Sequence, residues 1–147
     1  MNANESNGLL NNWLELANLQ AKISQRLEQA LDEEARLSLN EFYVLHFLSL
    51  NEDKKLRLQQ LQERVGLSQS AMSRLVLRME APKCGALRRH ICEDDRRGIY
   101  TEMTALGEDK LKRGTEAVKT VLQSLSTPGE LPPELNAFLV RAASTVE

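Results

Sequence analysis

The stretch LRLQQLQERVGLSQSAMSRLVLRMEAP, residues 56–82, constrains the fold most, because it divides at Gly66 into two short amphipathic segments. Apolar residues recur at helical spacing on both sides of the glycine, and Ser68 is a favourable N-cap for the second segment. The apolar faces comprise Leu58, Leu61 and Val65 in the first segment and Ala71, Met72, Leu75, Val76 and Met79 in the second. Pro82 ends the second segment, since the residue before a proline is pushed out of helical geometry. Two helices joined by a short glycine-containing turn predict a helix-turn-helix.

The second of these helices carries polar and basic side chains on its outward face. They are Ser68, Gln69, Ser70, Ser73, Arg74 and, further along, Arg78. Serine, glutamine and arginine are residue types that hydrogen-bond to base edges and phosphates in a major groove of DNA. These six residues are therefore the candidate DNA contacts of the helix.

Two short segments rich in strand-forming residues follow, and a charged segment separates them. ALRRHI and GIYTEM flank the sequence CEDDRRG, which predicts a β-hairpin with a charged tip. A helix-turn-helix followed by a hairpin is a winged helix, with the hairpin as its wing. The predicted fold class is thus mainly α with a small β-hairpin wing.

Long helices are predicted on both sides of this winged helix. An apolar stripe runs from about residue 9 to 34, and a helix of that length would span roughly 35 to 40 Å. The stripe comprises Leu9, Trp13, Leu16, Ile23, Leu27 and Leu31. A second helix is predicted with Asn40 as N-cap and with Phe42, Leu45 and Leu48 on its apolar face. Thr104 caps another long helix, and a last amphipathic helix follows STPGELPPEL.

The terminal helices are longer than the winged helix requires, which is typical of chains that dimerise through such helices. We therefore expect an N-terminal dimerisation helix at 1–38, a winged helix-turn-helix DNA-binding domain at 39–105 and C-terminal dimerisation helices at 106–147.

The charge distribution favours a polyanionic partner for the middle of the chain. The net charge is −2, but residues 64–97 contain 8 basic and 4 acidic side chains. Positive charge concentrated in one segment is the electrostatic footprint expected of a nucleic-acid-binding surface. No apolar run reaches the roughly 18 residues of a membrane-spanning helix, and the N-terminus lacks the features of a signal peptide. We therefore expect a cytoplasmic protein without a membrane partner.

The motifs around the hairpin resemble those of the MarR family of bacterial transcriptional regulators. The resemblance covers roughly residues 40–113, where LSQSAMSRLVLRME matches the recognition helix. The family's wing pattern is matched by Arg89, Asp95-Arg96-Arg97 and Thr104-Ala105-Leu106-Gly107. The resemblance implies a homodimer with interlocked terminal helices that binds a pseudo-palindromic double-stranded DNA operator, more often as a repressor than as an activator. Its half-sites would lie about one helical turn apart, roughly 34 to 36 Å.

The resemblance also implies roles for the residues of the wing. Arg97, nearest the tip, would enter the minor groove, whose narrow A·T-rich form attracts arginine, and Arg97→Ala would cost about 1 to 3 kcal/mol of operator binding. Arg96 would contact phosphate, and Arg88 or Arg89 would take part in DNA binding by the wing. Asp95 would brace the hairpin by pairing with an arginine of the lobe. Between Met79 and Gly85 the chain has about two residues more than the family pattern, so the register of the first wing strand is less defined than the tip.

Two kinds of signal response stay open. Family members often bind a small aromatic or phenolic effector between the dimer helices and the DNA-binding lobe. The candidates for such a pocket here are Trp13, Phe42, Tyr43 and His46, with the alternative that Trp13 and Phe42 are dimer or core residues. Cys84 and Cys92 flank the first wing strand, so their oxidation would disturb the wing, whereas the alternative is that both are packed, reduced thiols.

Other function classes are less well supported by the residues. No phosphate-binding glycine loop or nucleophile elbow is present, and Asp94 and Asp95 are adjacent in a loop beside two arginines, where both stay ionised. His90-x-Cys92 lacks the further ligands of a zinc site, so we expect no metal, no cofactor and no enzyme. A winged-helix module that binds protein is the remaining alternative, and a flat dependence of duplex binding on salt would favour it.

Overall fold

The computed structural model describes residues 2–80, 84–91 and 99–144, and within them six helices and three strands follow one another. The helices are α1 (Ala3–Ala35), α2 (Leu39–Ser49), α3 (Leu58–Val65), α4 (Gln69–Met79), α5 (Ala105–Ser124) and α6 (Pro133–Ser144). The strands are β1 (Lys55–Arg57), β2 (Leu87–Ile91) and β3 (Ile99–Met103). The expected class, mainly α with a β-hairpin wing, is confirmed.

Helix α1 begins about two turns earlier than its apolar stripe predicts. Asn2 and Glu5 form a reciprocal cap, in which the Glu5 N–H donates to Asn2 Oδ1 at 2.9 Å and the Asn2 N–H donates to the Glu5 carboxylate at 3.1 Å. This arrangement satisfies two backbone donors that a helix otherwise leaves unpaired, and it starts the helix at Ala3. Only the C-terminal part of the stripe is buried within the chain, at Leu27 and Leu31.

Helix α2 is capped by Ser38, so the expectation that Asn40 is its N-cap was wrong. The Ser38 hydroxyl accepts from the Glu41 N–H at 3.1 Å, and the Glu41 carboxylate accepts from the Ser38 N–H at 2.7 Å. Ser38 with an acid three residues later is the capping-box pattern, which Asn40 lacks because Tyr43 stands at its third position. The predicted apolar face of α2 is confirmed, since Phe42, Leu45 and Leu48 are buried.

The helix-turn-helix forms around Gly66 as predicted. Gly66 has φ +85°, a left-handed conformation that glycine adopts without strain, and it ends α3. The Ser68 hydroxyl accepts from the Ala71 N–H at 3.2 Å and so begins α4. The inward face of α4 is buried as expected at Met72, Leu75, Val76 and Met79, and Ala71 is half-buried.

The wing is part of a three-stranded antiparallel sheet with the strand order β1-β3-β2. The hairpin of β2 and β3 is as predicted, with Leu87 opposite Met103 and Ile91 opposite Ile99. Strand β1 was not predicted, because three residues are too few to show a period. On one face of β3, Thr101 and Met103 are buried, which places this face of the hairpin against the lobe.

One hydrophobic core joins the lobe to the long helices. Its buried members run from Leu27 in α1 to Met103 in β3, and half-buried residues of α5 such as Leu111 and Leu122 pack against it. Helix α5 crosses this core at Gly114, where an added Cβ would lie 3.1 Å from side-chain atoms of both Leu31 and Phe42. The C-terminal part of α1 and most of α5 therefore support the lobe directly. Within the described part of the chain, no helix is both long and apolar enough to cross a membrane.

Candidate nucleic-acid interface

Helix α4 presents its polar residues to solvent. All six candidate contacts that the sequence placed on this helix are exposed, as is the apolar Leu77; the six are Ser68, Gln69, Ser70, Ser73, Arg74 and Arg78. The opposite face is fixed in the core, with Met72 and Met79 fully buried. A short helix held on one side and polar on the other can lie in a major groove of about 12 Å width without changing its own packing.

The N-terminal end of α4 is ordered by its own side chains. Ser68 Oγ accepts from the Ala71 N–H and lies 3.5 Å from Ser70 Oγ. Part of the hydrogen-bonding capacity of Ser68 is thus used by the cap. Gln69 and Arg74 have longer side chains and are better suited to reach base edges.

Two arginines at the base of the wing are each paired with an acid of the same chain. Arg88 Nε donates to the Glu102 carboxylate at 3.0 Å, across the β2–β3 ladder. Arg89 Nε donates to Glu80 Oε1 at 2.7 Å, so it joins the wing to the residue after α4. Neither arginine was expected from the sequence to have these partners.

The Arg88 pair changes the ionisation of its carboxylate. The hydrogen bond from Arg88 is the main cause that lowers the pKa of Glu102 below its ordinary value of 4.5, and Lys55 and His90 lower this pKa further by their charges. His90 Nδ1 lies 3.9 Å from the same carboxylate. The same hydrogen bond raises the pKa of Arg88, which therefore stays charged.

Arg57 and Tyr100 make a contact that the sequence did not indicate. The guanidinium of Arg57 lies 5.3 Å from the centre of the Tyr100 ring, and its Nη2 donates to the Tyr100 hydroxyl at 3.2 Å. Arg57 is also the last residue of β1 and stands opposite Tyr100 in the sheet. The contact connects the start of α3 to the wing strand β3, and only the unpredicted pairing of β1 with β3 brings the two residues together.

Several predicted residues lie outside the described part of the chain. They are Asp94 and Asp95, the tip arginines Arg96 and Arg97, and Cys92. Their roles at the wing tip stay predictions. Cys84 is described, and it is a half-buried free thiol beside Gly85.

Three of the four effector-pocket candidates lie together on α2. The Phe42 ring centre lies 6.2 Å from those of Tyr43 and His46, and Phe42 is buried in the core. Tyr43 lines a groove of about 310 Å³ between α1 and α6, and burial and then the charge of Glu28 raise its pKa. His46 is exposed. Trp13 is 60% exposed in the first half of α1 and is not among the residues that line this groove.

The structure describes no set of metal-binding side chains at the interface. Among the residues of 2–80, 84–91 and 99–144, no group of three or more His, Cys, Asp or Glu side chains is placed to hold a metal ion. The exposed polar residues of α4 offer hydrogen bonds and charge, which are the interactions that a nucleic-acid interface uses.

The fold and the outward face of α4 define a winged helix-turn-helix protein. Residues 37–98 match the model of the MarR family. Solved structures share the fold over almost the whole chain, among them Sco3205 of Streptomyces coelicolor, a MarR family transcriptional regulator in complex with DNA, at TM-score 0.76 and 23% identity over 99% of this chain and 87% of that one. The similarity to the MarR family thus covers the winged helix-turn-helix, and the solved structures share the fold of the rest of the chain.

Two further solved structures show the same fold. The transcriptional regulator BldR of Sulfolobus solfataricus has TM-score 0.72 and 23% identity, over 99% of both chains. BpsR of Bordetella bronchiseptica, whose DNA binding is regulated by 6-hydroxynicotinic acid, has TM-score 0.69 and 18% identity over 89% of both chains. No protein among the curated ones matches the sequence significantly.

Proposed function

We propose that the protein is a cytoplasmic, non-catalytic regulator that represses transcription by binding a pseudo-palindromic DNA operator as a homodimer. The observation that carries this proposal is that α4 has two different faces. Every candidate base or phosphate contact on this helix is exposed, and the opposite face is buried in the core. A helix with one polar exposed face and one buried face presents hydrogen-bonding groups to a groove at little conformational cost.

A homodimer is supported by apolar side chains that the single chain leaves exposed. Five apolar residues in the N-terminal half of α1 are each between 45% and 60% exposed: Leu9, Leu10, Trp13, Leu14 and Leu16. On α6, Phe138 and Val140 are also more than half exposed. Contiguous apolar surface of this kind marks an interaction site, and a second copy of the same two helices would cover it.

The proposal is tested by selecting bound duplexes from random double-stranded DNA. We expect a selected sequence with two inverted half-sites about one helical turn apart, and a decrease of binding with salt of about 0.9 in log–log slope for each phosphate neutralised. Arg74→Ala should weaken binding to the selected duplex by about 1 to 3 kcal/mol. Arg113→Ala is the matched control, since Arg113 is exposed on α5 and paired with Asp109 at 2.9 Å.

Different results would point to other functions. A duplex affinity that does not change with salt, or the failure of any sequence to be enriched, would contradict DNA binding and favour a protein partner. Equal losses from Arg74→Ala and Arg113→Ala would remove α4 from the interface.

Control of DNA binding by a small aromatic effector is a second proposal, and the groove at Tyr43 favours it. The groove is lined mainly by apolar side chains of α1 and α6, and its polar residues are Gln20, Ser24 and Tyr43. The regulation of BpsR by 6-hydroxynicotinic acid shows that a protein of this fold can respond to an aromatic acid. The test is operator binding with and without millimolar 6-hydroxynicotinic acid or salicylate; unchanged affinity with both would contradict an effector of this chemistry.

A further inference from the structure

Glu80 stands where the end of the recognition helix α4 meets the first strand of the wing. Its backbone leaves helical geometry at φ −77° and ψ 155°, while its N–H still donates to the Val76 carbonyl at 3.1 Å. The same residue forms a parallel β-bridge with Leu87, the first residue of β2. Glu80 therefore belongs to the helix through one backbone contact and to the wing through another.

The Glu80 side chain adds a second contact between the end of α4 and the wing. Its carboxylate accepts from Arg89 Nε at 2.7 Å and is only 15% exposed, whereas the Arg89 side chain is 56% exposed. A short ion pair with one partner largely shielded from water is stronger than an exposed surface pair. Arg89 stands opposite the buried Thr101 and thus lies on the lobe-facing side of the hairpin.

The neighbouring arginine forms a pair of similar chemistry that connects different parts. Arg88 and Glu102 face each other across β2 and β3, so their pair joins the two strands of the hairpin to one another. It does not reach α4. The Arg88–Glu102 pair therefore stabilises the hairpin internally, whereas the Arg89–Glu80 pair attaches the hairpin to the end of the helix.

We propose that Glu80 is a positioning residue for DNA binding, which holds Arg89 and thereby fixes the wing relative to the recognition helix. The inference rests on the proposed function and deepens it, because helix and wing must meet adjacent grooves of one duplex at the same time. Arg89 then acts through Glu80 and not as a direct contact to DNA. Strand β2 lies at the edge of the three-stranded sheet, so a fixed attachment of β2 reduces the ordering that binding would otherwise require.

The experiment compares Glu80→Gln with Glu102→Gln on the selected duplex. Both variants remove one carboxylate beside a wing arginine, so their general effect on attraction to DNA is matched. Hydroxyl-radical footprinting separates the central protection, expected from α4, from the flanking protection, expected from the wing. We expect Glu80→Gln to lose the flanking protection and to bind about ten-fold more weakly, and Glu102→Gln to keep the full footprint.

A double-mutant cycle with Arg89→Gln tests whether Arg89 works through Glu80. If it does, Arg89→Gln reproduces the truncated footprint, and Glu80→Gln adds no further loss in the double variant. Arg89 is more than half exposed, so its substitution keeps the test available if Glu80→Gln impairs folding.

The possible failures are distinguishable. Additive losses from the two substitutions would show that Arg89 contacts DNA directly, and a complete footprint with both single variants would show that the wing needs no such attachment; either result overturns the inference alone. If the wild-type chain protects no duplex, the proposed function fails and the inference fails with it.

Discussion

At the scale of single residues, Gly107 shows why a small residue is needed in the first turn of α5. Gly107 is buried, and a Cβ at this position would overlap the backbone oxygen of Ala86 and lie 2.8 Å from Cγ of Met103. The obstacle is packing and not backbone conformation, because the residue lies within a helix. In the Thr-x-x-Gly pattern at 104–107, the threonine thus caps α5 and the glycine allows α5 to approach the start of β2 closely.

Gly107→Ala should therefore destabilise the chain by about 1 to 3 kcal/mol, since either Ala86 or α5 must move. Gly8→Ala is the matched control, because nothing lies within 4 Å of a Cβ there, and alanine in an exposed helix is favoured by about 0.5 to 1 kcal/mol. Urea unfolding followed by circular dichroism measures both changes. A similar stabilisation by the two substitutions would contradict the packing described for Gly107.

Periodicity predicts which single residues are buried, but it does not predict which polar residues pair. The inward face of α4 could be named from the sequence because Met72, Leu75 and Met79 recur at helical spacing. The partners of Arg88 and Arg89 could not, because Glu102 and Glu80 approach them only after the hairpin has folded onto the lobe. The role of Arg89 in DNA binding therefore stays a prediction from the sequence, and the pairing with Glu80 is what the structure adds.

At the scale of elements, the start of α2 depends on a pattern of two residues. Ser38 and Glu41 cap each other, and the Leu39 N–H donates to Glu28 of α1 at 3.0 Å. Three hydrogen bonds thus satisfy backbone and side-chain groups where α1 turns into α2. Choosing Asn40 from residue type alone was wrong, because the position of the acid three residues later decides between two acceptable caps.

Ser38→Ala should lower the free energy of unfolding by about 1 kcal/mol through loss of the cap. Asn40→Ala should leave it unchanged or raise it slightly, since Asn40 is exposed within the helix and alanine has the higher helix propensity. Thermal unfolding of the two variants provides the measurement, and the reverse order of stabilities would restore Asn40 as the cap.

The hairpin is expected to lose stability in acid because of Glu102. The pKa of this carboxylate is below its ordinary value in the folded chain, chiefly through the hydrogen bond from Arg88. The stabilisation is thus complete above the ordinary carboxyl pKa and is lost as the pH falls through the lowered value. Wild type should melt at a higher temperature than Glu102→Gln at pH 7, and the difference should shrink below about pH 4. A constant difference across this range would exclude the titration of Glu102 as its cause.

At the scale of the whole molecule, helix α1 contributes to two different surfaces. One part of it packs in the core, and another part is exposed. The C-terminal part of α1 lies in the core of the lobe at Leu27 and Leu31, while the N-terminal half is exposed at Leu9 and Trp13. The apolar stripe indicated one continuous face but could not show this division, because the same residue types suit a core and an interface. The proposed domain boundaries at 38 and 105 separate regions that differ in their proposed roles. These regions nevertheless share one hydrophobic core.

Trp13→Glu should shift the protein from dimer to monomer, because a charge would have to be buried in the proposed interface. We expect the dimer dissociation constant to rise at least about ten-fold, as measured by sedimentation velocity. Leu50→Glu is the control, since Leu50 is 62% exposed at the end of α2 and does not belong to the proposed interface of α1 and α6. Monomeric wild-type protein, or equal effects of the two substitutions, would argue against this interface.

Helix α5 is attached at its beginning to the wing and almost two turns later to α1. The Thr104 hydroxyl donates to the Gly85 carbonyl at 2.6 Å, and the Thr104 N–H donates to the Ala86 carbonyl at 3.0 Å. Lys110 Nζ donates to the Ala35 carbonyl at 3.2 Å, at the end of α1. The residues just before β2 and the end of α1 are thus hydrogen-bonded to two points of α5 that lie about 9 Å apart along the helix axis. In a dimer built on the terminal helices, the distance between the two wings would follow the angle at which those helices cross, so the spacing of the bound half-sites would report that angle.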